Sequence, residues 1–285
     1  MLVSHLGCTQ TESNSKNKNT TCNNATTSGY KTLSANNTTR EYIMHIPTNY
    51  NAGTAVPLVI NLHGYGGCAA SHLSDADMRS QANENTFILV YPQGLTRTKG
   101  SAEWDPDTDS NDISTSDLEF LKQLISTIAS EYTIDATRVY VVGYSNGGMM
   151  AYGMACNNSN LVAAIGVVSS TMLQSTINSC NPTHATGVIN FHGTSDAVLP
   201  YDGNTSFPSV ATAIDYWKTY NNIPLANESE SDIDSTTKKY TYSGGTNGVR
   251  IEHYKITNGG HIWFNQASAT LWQFLSNFNT SGRMP

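Results

Sequence analysis

Apolar and polar positions follow two spacing patterns along this chain. Short, nearly continuous apolar runs of strand length are separated by stretches whose apolar residues recur every three or four positions. This alternation is typical of a mostly parallel sheet with helices packed on both faces. The apolar runs predict strands over residues 42–46, 58–62, 87–91, 139–142, 162–168, 188–191 and 249–254.

Four segments have the apolar spacing of amphipathic helices. In the first, Leu118, Leu121, Ile125 and Ile128 recur on one face, and Ser116 is placed to cap the helix. The other three helices are predicted over residues 146–155, 210–220 and 267–278. Ligands of open parallel sheets bind beyond the carboxyl ends of the strands, so we expect the functional residues there.

The beginning of the chain shows neither of these apolar patterns. Residues 9–28 are Asn, Thr, Ser and Lys with almost no large apolar side chain, and such a segment cannot repay the entropy of ordering. We predict a disordered tether over residues 1–28 and a catalytic domain over residues 29–285. No apolar run reaches the length of a membrane span, so we expect no transmembrane segment.

Composition narrows the class of partner and the compartment. The net charge is −7 and only 13% of the 285 residues are charged. Because nucleic-acid binding normally needs a basic face, we expect no nucleic-acid partner. A surface that relies on Asn, Ser and Thr is typical of an exported protein. We therefore expect a secreted or outer-surface monomer.

The five cysteines predict disulfides with one cysteine left over. Cys156 and Cys180 flank one predicted strand and its approach loop and form the favoured pair, with Cys22–Cys68 as the second. Cys8 precedes the polar tether and is a candidate for a lipid anchor, although the residues before it are too few for a complete signal peptide. The alternative is a set of reduced, buried cysteines.

Four glycine-rich motifs supply candidate catalytic residues in a fixed order along the chain. Ser145 follows a predicted strand directly and precedes a predicted helix, the context of a nucleophile elbow. His261 is the candidate base and Asp196 the candidate acid that orients it, with Asp202 as the runner-up acid. The motifs are His63-Gly64-Tyr65-Gly66-Gly67, Gly143-Tyr144-Ser145-Asn146-Gly147-Gly148, His192-Gly193-Thr194-Ser195-Asp196 and Gly259-Gly260-His261.

An oxyanion hole needs two backbone N–H donors, one of them from the residue after the nucleophile. Asn146 is the candidate for that donor, and Tyr65 in the first motif is the candidate for the other. His63 and His192 lie in glycine turns and are expected to brace those turns rather than to react.

Substrate contacts and a metal site are weaker predictions. Tyr65, Trp104 and Trp263 are candidates for contact with substrate, and core packing is the open alternative for both tryptophans. The acidic run with Asp105, Asp107 and Asp109 resembles a calcium loop, but it lacks the glycine and closing glutamate of an EF-hand. A solvated acidic loop is the alternative, and no cofactor is expected.

At these residues the chain resembles the extracellular polyhydroxybutyrate depolymerase and feruloyl/acetylxylan esterase group of the α/β-hydrolase superfamily. The resemblance covers residues 58–67, 116–156, 191–201 and 258–263. It implies an α/β-hydrolase fold without a large lid domain, and a serine esterase whose triad is Ser145, Asp196 and His261. The tether and the acidic loop after Trp104 depart from the group's pattern, so substrate preference stays open.

The expected activity is therefore hydrolysis of a polyester or of feruloyl or acetyl esters of plant polysaccharide, with aromatic polyesters as a promiscuous substrate. Two alternatives stay open at the level of sequence. One is a serine peptidase of the same fold, which would usually carry a propeller or lid domain. The other is a non-catalytic surface module that kept the fold, although no member of the triad is missing.

Overall fold

The sequence folds around one long, mostly parallel sheet. A computed structural model describes residues 29–97, 100–107 and 116–285. The strands are β1 (Tyr30–Ala35), β2 (Thr38–His45), β3 (Val56–Leu62), β4 (Ile88–Pro92), β5 (Leu95–Thr96), β6 (Ala102–Glu103), β7 (Ile134–Tyr144), β8 (Ala164–Val168), β9 (Gly187–Gly193), β10 (Glu228–Asp232), β11 (Thr237–Tyr242), β12 (Ile251–Ile256), β13 (Phe278–Asn279) and β14 (Gly282–Arg283).

Ten of these strands form the main sheet, in the order β1-β2-β4-β3-β7-β8-β9-β12-β11-β10. The six inner strands from β4 to β12 run parallel, and antiparallel pairs extend both edges. Strands β3, β8 and β9 are buried along their whole length, as expected for strands covered on both faces. The fold is that of an α/β-hydrolase, as predicted.

Helices cover both faces of the sheet. They are α1 (Ala69–Asp75), α2 (Arg79–Asn85), α3 (Asp117–Glu131), α4 (Asn146–Asn157), α5 (Gln174–Ser179), α6 (Val210–Tyr220) and α7 (Ala267–Leu275), with single 3₁₀ turns at Ser159–Leu161 and Thr246–Gly248. Residues of α3, α4 and α6 share one buried apolar cluster, and residues of α1, α2 and α7 share the cluster on the opposite face. Within the described ranges, no helix has the length and apolar character needed to cross a membrane.

Helix α3 shows how local sequence fixes an element. Its predicted apolar face, which includes Leu118 and Ile128, is buried. The Ser116 hydroxyl accepts the Glu119 amide N–H at 3.3 Å, so this serine caps the helix as predicted. A buried ion cluster lies at the same end, where the Asp117 carboxylate contacts Arg40 at 2.6 Å and Arg97 at 2.8 Å.

The predicted disulfide between Cys156 and Cys180 is confirmed, with the two Cα atoms 4.6 Å apart. It joins the last turn of α4 to Cys180, the residue directly after α5. The other predicted pair involves Cys22, which lies outside the described residues, as do Cys8 and the whole of the predicted tether.

Several elements were not predicted. Strands β1, β10 and β11 are mainly polar, and β10 is exposed at every position. Helices α1, α2 and α5 have seven, seven and six residues, too few to show a helical period. The last helix was predicted to reach Phe278 but ends at Leu275, because Phe278 begins the short strand pair β13–β14.

Candidate active site

Ser145 lies in the sharp turn between β7 and α4. Its backbone has φ 53° and ψ −121°, a left-handed conformation that strains any residue other than glycine. The Ser145 amide donates to the Val168 carbonyl of β8 at 3.0 Å, which anchors the turn to the sheet. A Cβ at Gly147 would overlap the carbonyls of Leu62 and His63, so only glycine lets α4 pack this closely on β3.

The structure brings Ser145, His261 and Asp196 into one hydrogen-bonded line. Ser145 Oγ lies 2.8 Å from His261 Nε2, and His261 Nδ1 lies 2.7 Å from Asp196 Oδ2. The Asp196 side chain is fully buried, whereas the His261 side chain is 15% exposed. A buried carboxylate that accepts Nδ1–H leaves Nε2 as the proton acceptor toward the serine.

The other oxygen of Asp196 holds its own loop. Asp196 Oδ1 accepts the amides of Val198 at 2.9 Å and Leu199 at 2.8 Å. Asp202, the runner-up acid, is exposed in the turn that follows. Asp196 rather than Asp202 therefore faces His261.

Two residues that the sequence analysis did not single out hold the His261 loop. The Tyr144 hydroxyl donates to the His261 carbonyl at 2.9 Å, and the Ser169 hydroxyl donates to the Ile262 carbonyl at 2.8 Å. Burial raises the pKa of Tyr144 to about 12, so its hydroxyl keeps its proton. Both residues follow buried strand positions directly, which was the only available signal for them.

His63 braces the glycine loop that carries Tyr65. Its Nδ1–H donates to the Gly64 carbonyl at 2.7 Å, and its Nε2 accepts the Gly94 amide at 3.0 Å. Burial lowers the pKa of His63 to about 4, and the neutral ring suits this one-donor, one-acceptor arrangement. Its placement fits the bracing role expected from the sequence.

His192 lies on the other side of Asp196. His192 Nε2 is 2.8 Å from the Leu199 carbonyl and 3.4 Å from Asp196 Oδ2. Burial lowers the pKa of His192, so the ring is neutral near pH 7 and its Nε2–H stabilises the acid loop as a donor rather than as a cation.

Tyr65 and Asn146, the two candidate oxyanion donors, are each adjacent in sequence to a residue at the Ser145 turn. Gly64, next to Tyr65, is so close to Ser145 that a Cβ there would lie 3.3 Å from the serine Cβ. Asn146 begins α4 directly after Ser145. Across the described ranges, the amides of Tyr65 and Asn146 donate no hydrogen bond outside regular helix and strand pairing, whereas Gly66 N donates to the Ala102 carbonyl.

The three predicted substrate contacts differ in their placement. Tyr65 is 51% exposed, and Trp263 is partly buried with its ring 5.5 Å from that of His72. Trp104 is only 2% exposed, so its predicted contact with substrate does not fit the structure. The reason is that its indole N–H donates to the His63 carbonyl at 2.9 Å, which holds the ring inside. The core-packing alternative describes Trp104 better.

The acidic run is only partly described. The Asp107 amide donates to Asp105 Oδ1 at 3.1 Å, and Asp109 lies outside the described residues. In the ranges that the structure covers, no group of three His, Cys, Asp or Glu side chains is placed to hold a metal ion.

The sequence is similar to those of several esterases. The chain is 27% identical over 249 residues to a bifunctional acetylxylan esterase/xylanase of Neocallimastix patriciarum, covering 84% of this chain and 34% of that protein. It is 24% identical over 249 residues to feruloyl esterase B of Piromyces equi, covering 84% and 45%. A probable feruloyl esterase C of Aspergillus oryzae is 31% identical over 172 residues, covering 59% and 58%. The chain thus spans less than half the length of the first two relatives.

Solved structures share the fold at low sequence identity. An acetyl xylan esterase from Aspergillus awamori superposes with a TM-score of 0.68 at 14% identity, covering 87% of this chain and 99% of that one. A feruloyl esterase module from Clostridium thermocellum gives 0.60 at 14% identity, covering 87% and 86%. The sequence pattern of the phospholipase/carboxylesterase family matches residues 48–229, more than half of the chain. With its strand order and its elbow serine, the chain belongs to the phospholipase/carboxylesterase family of α/β-hydrolases.

Proposed function

We propose that this chain is a serine ester hydrolase that works through an acyl-enzyme intermediate. The observation that carries the proposal is the line from Ser145 Oγ through the His261 ring to the buried Asp196 carboxylate, with contacts of 2.8 and 2.7 Å. A serine hydroxyl is a poor nucleophile until a base removes its proton, and the 2.8 Å contact supports His261 as that base.

Acylation follows from the positions of the donors and acceptors. Ser145 Oγ forms a bond to the ester carbonyl carbon while its proton passes to His261 Nε2. The carbonyl oxygen becomes an oxyanion, which accepts the amides of Tyr65 and Asn146 at the positive end of α4. The carbon–alkoxy bond then breaks, and His261 gives its proton to the leaving alcohol.

Deacylation repeats these steps with water. His261 Nε2 takes a proton from water as the water oxygen attacks the acyl carbon, and the same two amides accept the second oxyanion. The bond to Ser145 Oγ breaks, Oγ recovers the proton from His261, and the carboxylic acid leaves.

Exposed apolar side chains at the site support an uncharged ester as the substrate. Tyr65, Val198 and Ile262 are 51%, 57% and 53% exposed, and each lies one or two residues from a proposed catalytic residue or its glycine loop. Exposed apolar side chains near a reactive residue favour apolar ligands. We propose polysaccharide-linked feruloyl or acetyl esters, which are the substrates in the names of the relatives, or a polyester, with aromatic polyesters as a further substrate.

The compartment is part of the same proposal. The Cys156–Cys180 disulfide supports an oxidising environment, and the low fraction of charged residues is typical of exported proteins. We propose that the protein acts outside the cytoplasm as a monomer, with Cys8 as the candidate position for a lipid anchor.

The activity is tested with p-nitrophenyl butyrate. The chain is expected to release the chromophore, and Ser145→Ala is expected to lower kcat by at least about 10⁴-fold because it removes the attacking hydroxyl. Circular dichroism of both proteins controls for folding. Chromophore release that is unchanged by Ser145→Ala contradicts the proposal.

The substrate class is tested by assays run side by side. We expect clearing of polyhydroxybutyrate suspension, or release of ferulate or acetate from arabinoxylan, and each activity is to be lost in Ser145→Ala. Hydrolysis of p-nitrophenyl butyrate without any of these activities contradicts the proposed substrates but not the ester hydrolysis.

A further inference from the structure

We infer that Trp104 is a positioning residue for the oxyanion hole, because it fixes the two proposed donors relative to each other. The inference rests on the proposed function, because it assigns Trp104 a task in stabilising the proposed oxyanion. Tyr65 lies in the glycine loop 63–67 and Asn146 at the start of α4, 81 positions apart in sequence. Trp104 is hydrogen-bonded to both segments.

The backbone of Trp104 is hydrogen-bonded to the side chain of Asn146, the residue after Ser145. The Trp104 amide donates to Asn146 Oδ1 at 2.6 Å, and Asn146 Nδ2 donates to the Trp104 carbonyl at 2.9 Å. Two opposed hydrogen bonds fix both the position and the rotation of the Asn146 side chain. Because Asn146 is the first residue of α4, this pairing also holds the start of the helix, where the proposed backbone donor lies.

The segment 102–104 is hydrogen-bonded to the glycine loop on both sides of Tyr65. The Trp104 indole N–H donates to the His63 carbonyl at 2.9 Å, two residues before Tyr65. On the far side of Tyr65, the Gly66 amide donates to the Ala102 carbonyl at 2.7 Å. The segment 102–104 therefore holds the chain both before and after the proposed donor, and the indole also packs 5.1 Å from the His63 ring.

The segment that carries Trp104 is itself anchored in the protein interior. The Asp105 amide donates at 2.9 Å to Asp117, whose carboxylate lies between Arg40 and Arg97. The side chains of Arg40 and Asp117 are 1% and 0% exposed. A hydrogen-bonded buried ion cluster resists displacement, so Trp104 is tied to a rigid part of the fold.

This arrangement matters because an oxyanion donor acts over a narrow range of distance, about 2.7–3.1 Å from the oxyanion. Complete loss of one donor lowers the rate by about 10²–10³-fold. A donor that moves by a few tenths of an ångström loses part of that effect. Trp104 is thus expected to influence kcat while it leaves ground-state binding unchanged.

Another buried tryptophan offers a matched control. Trp217 is fully buried in α6, and in the part of the chain that the structure describes its indole N–H has no hydrogen-bond partner. Replacing Trp217 by Phe changes packing as Trp104→Phe does, but it removes no hydrogen bond. The comparison separates the indole N–H of Trp104 from its bulk.

The test compares Trp104→Phe with Trp217→Phe in the full chain, with p-nitrophenyl butyrate as substrate. Active sites are counted by complete reaction with a fluorophosphonate, so that unfolded protein does not enter kcat. We expect Trp104→Phe to lower kcat per active site about tenfold with KM within twofold, and to weaken inhibition by phenylboronic acid by a similar factor. Trp217→Phe is expected to keep kcat per active site.

A second variant approaches the same contacts from the opposite side. Asn146→Ala keeps the backbone donor but removes both side-chain bonds to Trp104, so kcat per active site should fall in the same way. The double variant Trp104→Phe/Asn146→Ala should lose less than the product of the two single effects, because the bonds act as one unit. If Trp104→Phe does not fold, Asn146→Ala carries the test.

Two outcomes overturn the inference. One is an unchanged kcat per active site and boronic acid affinity in Trp104→Phe or Asn146→Ala. The other is an equal loss in Trp104→Phe and Trp217→Phe, which would show a packing effect alone. Failure of the proposed function looks different, because Ser145→Ala would then retain the activity of the unaltered chain.

Discussion

At the scale of single residues, the two oxygens of Asp196 have different tasks. Oδ1 accepts two backbone amides of its own loop, from Val198 and Leu199, and Oδ2 accepts the Nδ1–H of His261. One side chain therefore fixes the shape of the loop at residues 196–199 and the tautomer of the proposed base.

Asp196→Asn separates these tasks. An asparagine oxygen can still accept the loop amides, but its NH₂ group then faces His261 Nδ1 and imposes the tautomer that protonates Nε2. We expect kcat for p-nitrophenyl butyrate to fall by about 10⁴-fold while the protein stays folded. Steady-state kinetics and circular dichroism measure the two effects.

Asp202→Asn is the matched control because it changes the exposed runner-up acid in the same loop region. It should leave kcat unchanged. Equal losses in the two variants, or activity retained in Asp196→Asn, would contradict the proposed role of Asp196.

At the scale of elements, the Cys156–Cys180 disulfide joins the ends of α4 and α5. The bond closes a segment of 24 residues that includes the central strand β8. A crosslink over this length restricts the unfolded chain and stabilises the folded state by about 3 kcal/mol.

Replacing both cysteines by alanine should therefore lower the Tm by roughly 6–12 °C. Ser145 lies at the other end of α4, so kcat at 25 °C should persist. Calorimetry with and without dithiothreitol provides the measurement, and the reductant should shift the Tm of the natural sequence but not that of the double variant. A Tm that the double replacement leaves unchanged argues against a stabilising crosslink.

The elements also show what sequence reasoning reaches. Inner strands such as β8 and β9 are continuous apolar runs, and the hydrophobic pattern alone predicts them. The edge strand β10 has no buried position and is held by its ladder to β11 and by Lys238, which contacts Glu230 at 2.9 Å. Such cross-strand pairs leave no periodic signal, so this strand could not be predicted.

The candidate site divides in a similar way. Ser145, Asp196 and His261 follow strand ends in glycine-rich motifs, so their meeting could be expected from topology. The inward placement of Trp104 could not, because it depends on hydrogen bonds to His63 and Asn146 that only the folded chain creates.

At the scale of the whole molecule, three buried histidines besides His192 contribute to the loss of stability in acid. Burial lowers the pKa of His63 to about 4 and those of His72 and His253 to about 3, against 6.5 in the unfolded chain. Below pH 6.5 the unfolded chain binds protons that the folded protein cannot accept at these sites. The stability that these groups provide is therefore complete above pH 6.5 and is lost as the pH falls toward 4 for His63 and toward 3 for His72 and His253.

Each such histidine should cost about 1.4 kcal/mol of unfolding free energy per pH unit between pH 6 and 4. We expect His253→Gln to reduce the pH slope of unfolding free energy by about that amount, because Gln does not titrate. Urea unfolding at several pH values between 7 and 4.5 measures the slope. A slope equal to that of the unaltered protein contradicts this assignment.

The backbone conformation of Ser145 lowers the stability of the fold at a residue that the proposed activity requires. A non-glycine residue held at φ 53° costs about 1–3 kcal/mol, whereas glycine adopts this conformation freely at an entropic cost of about 0.5–1 kcal/mol. On this balance, glycine in place of Ser145, the proposed nucleophile, would make the protein more heat-resistant. Selection for thermal survival alone would therefore favour loss of Ser145, and directed evolution of this chain has to select for turnover at every round.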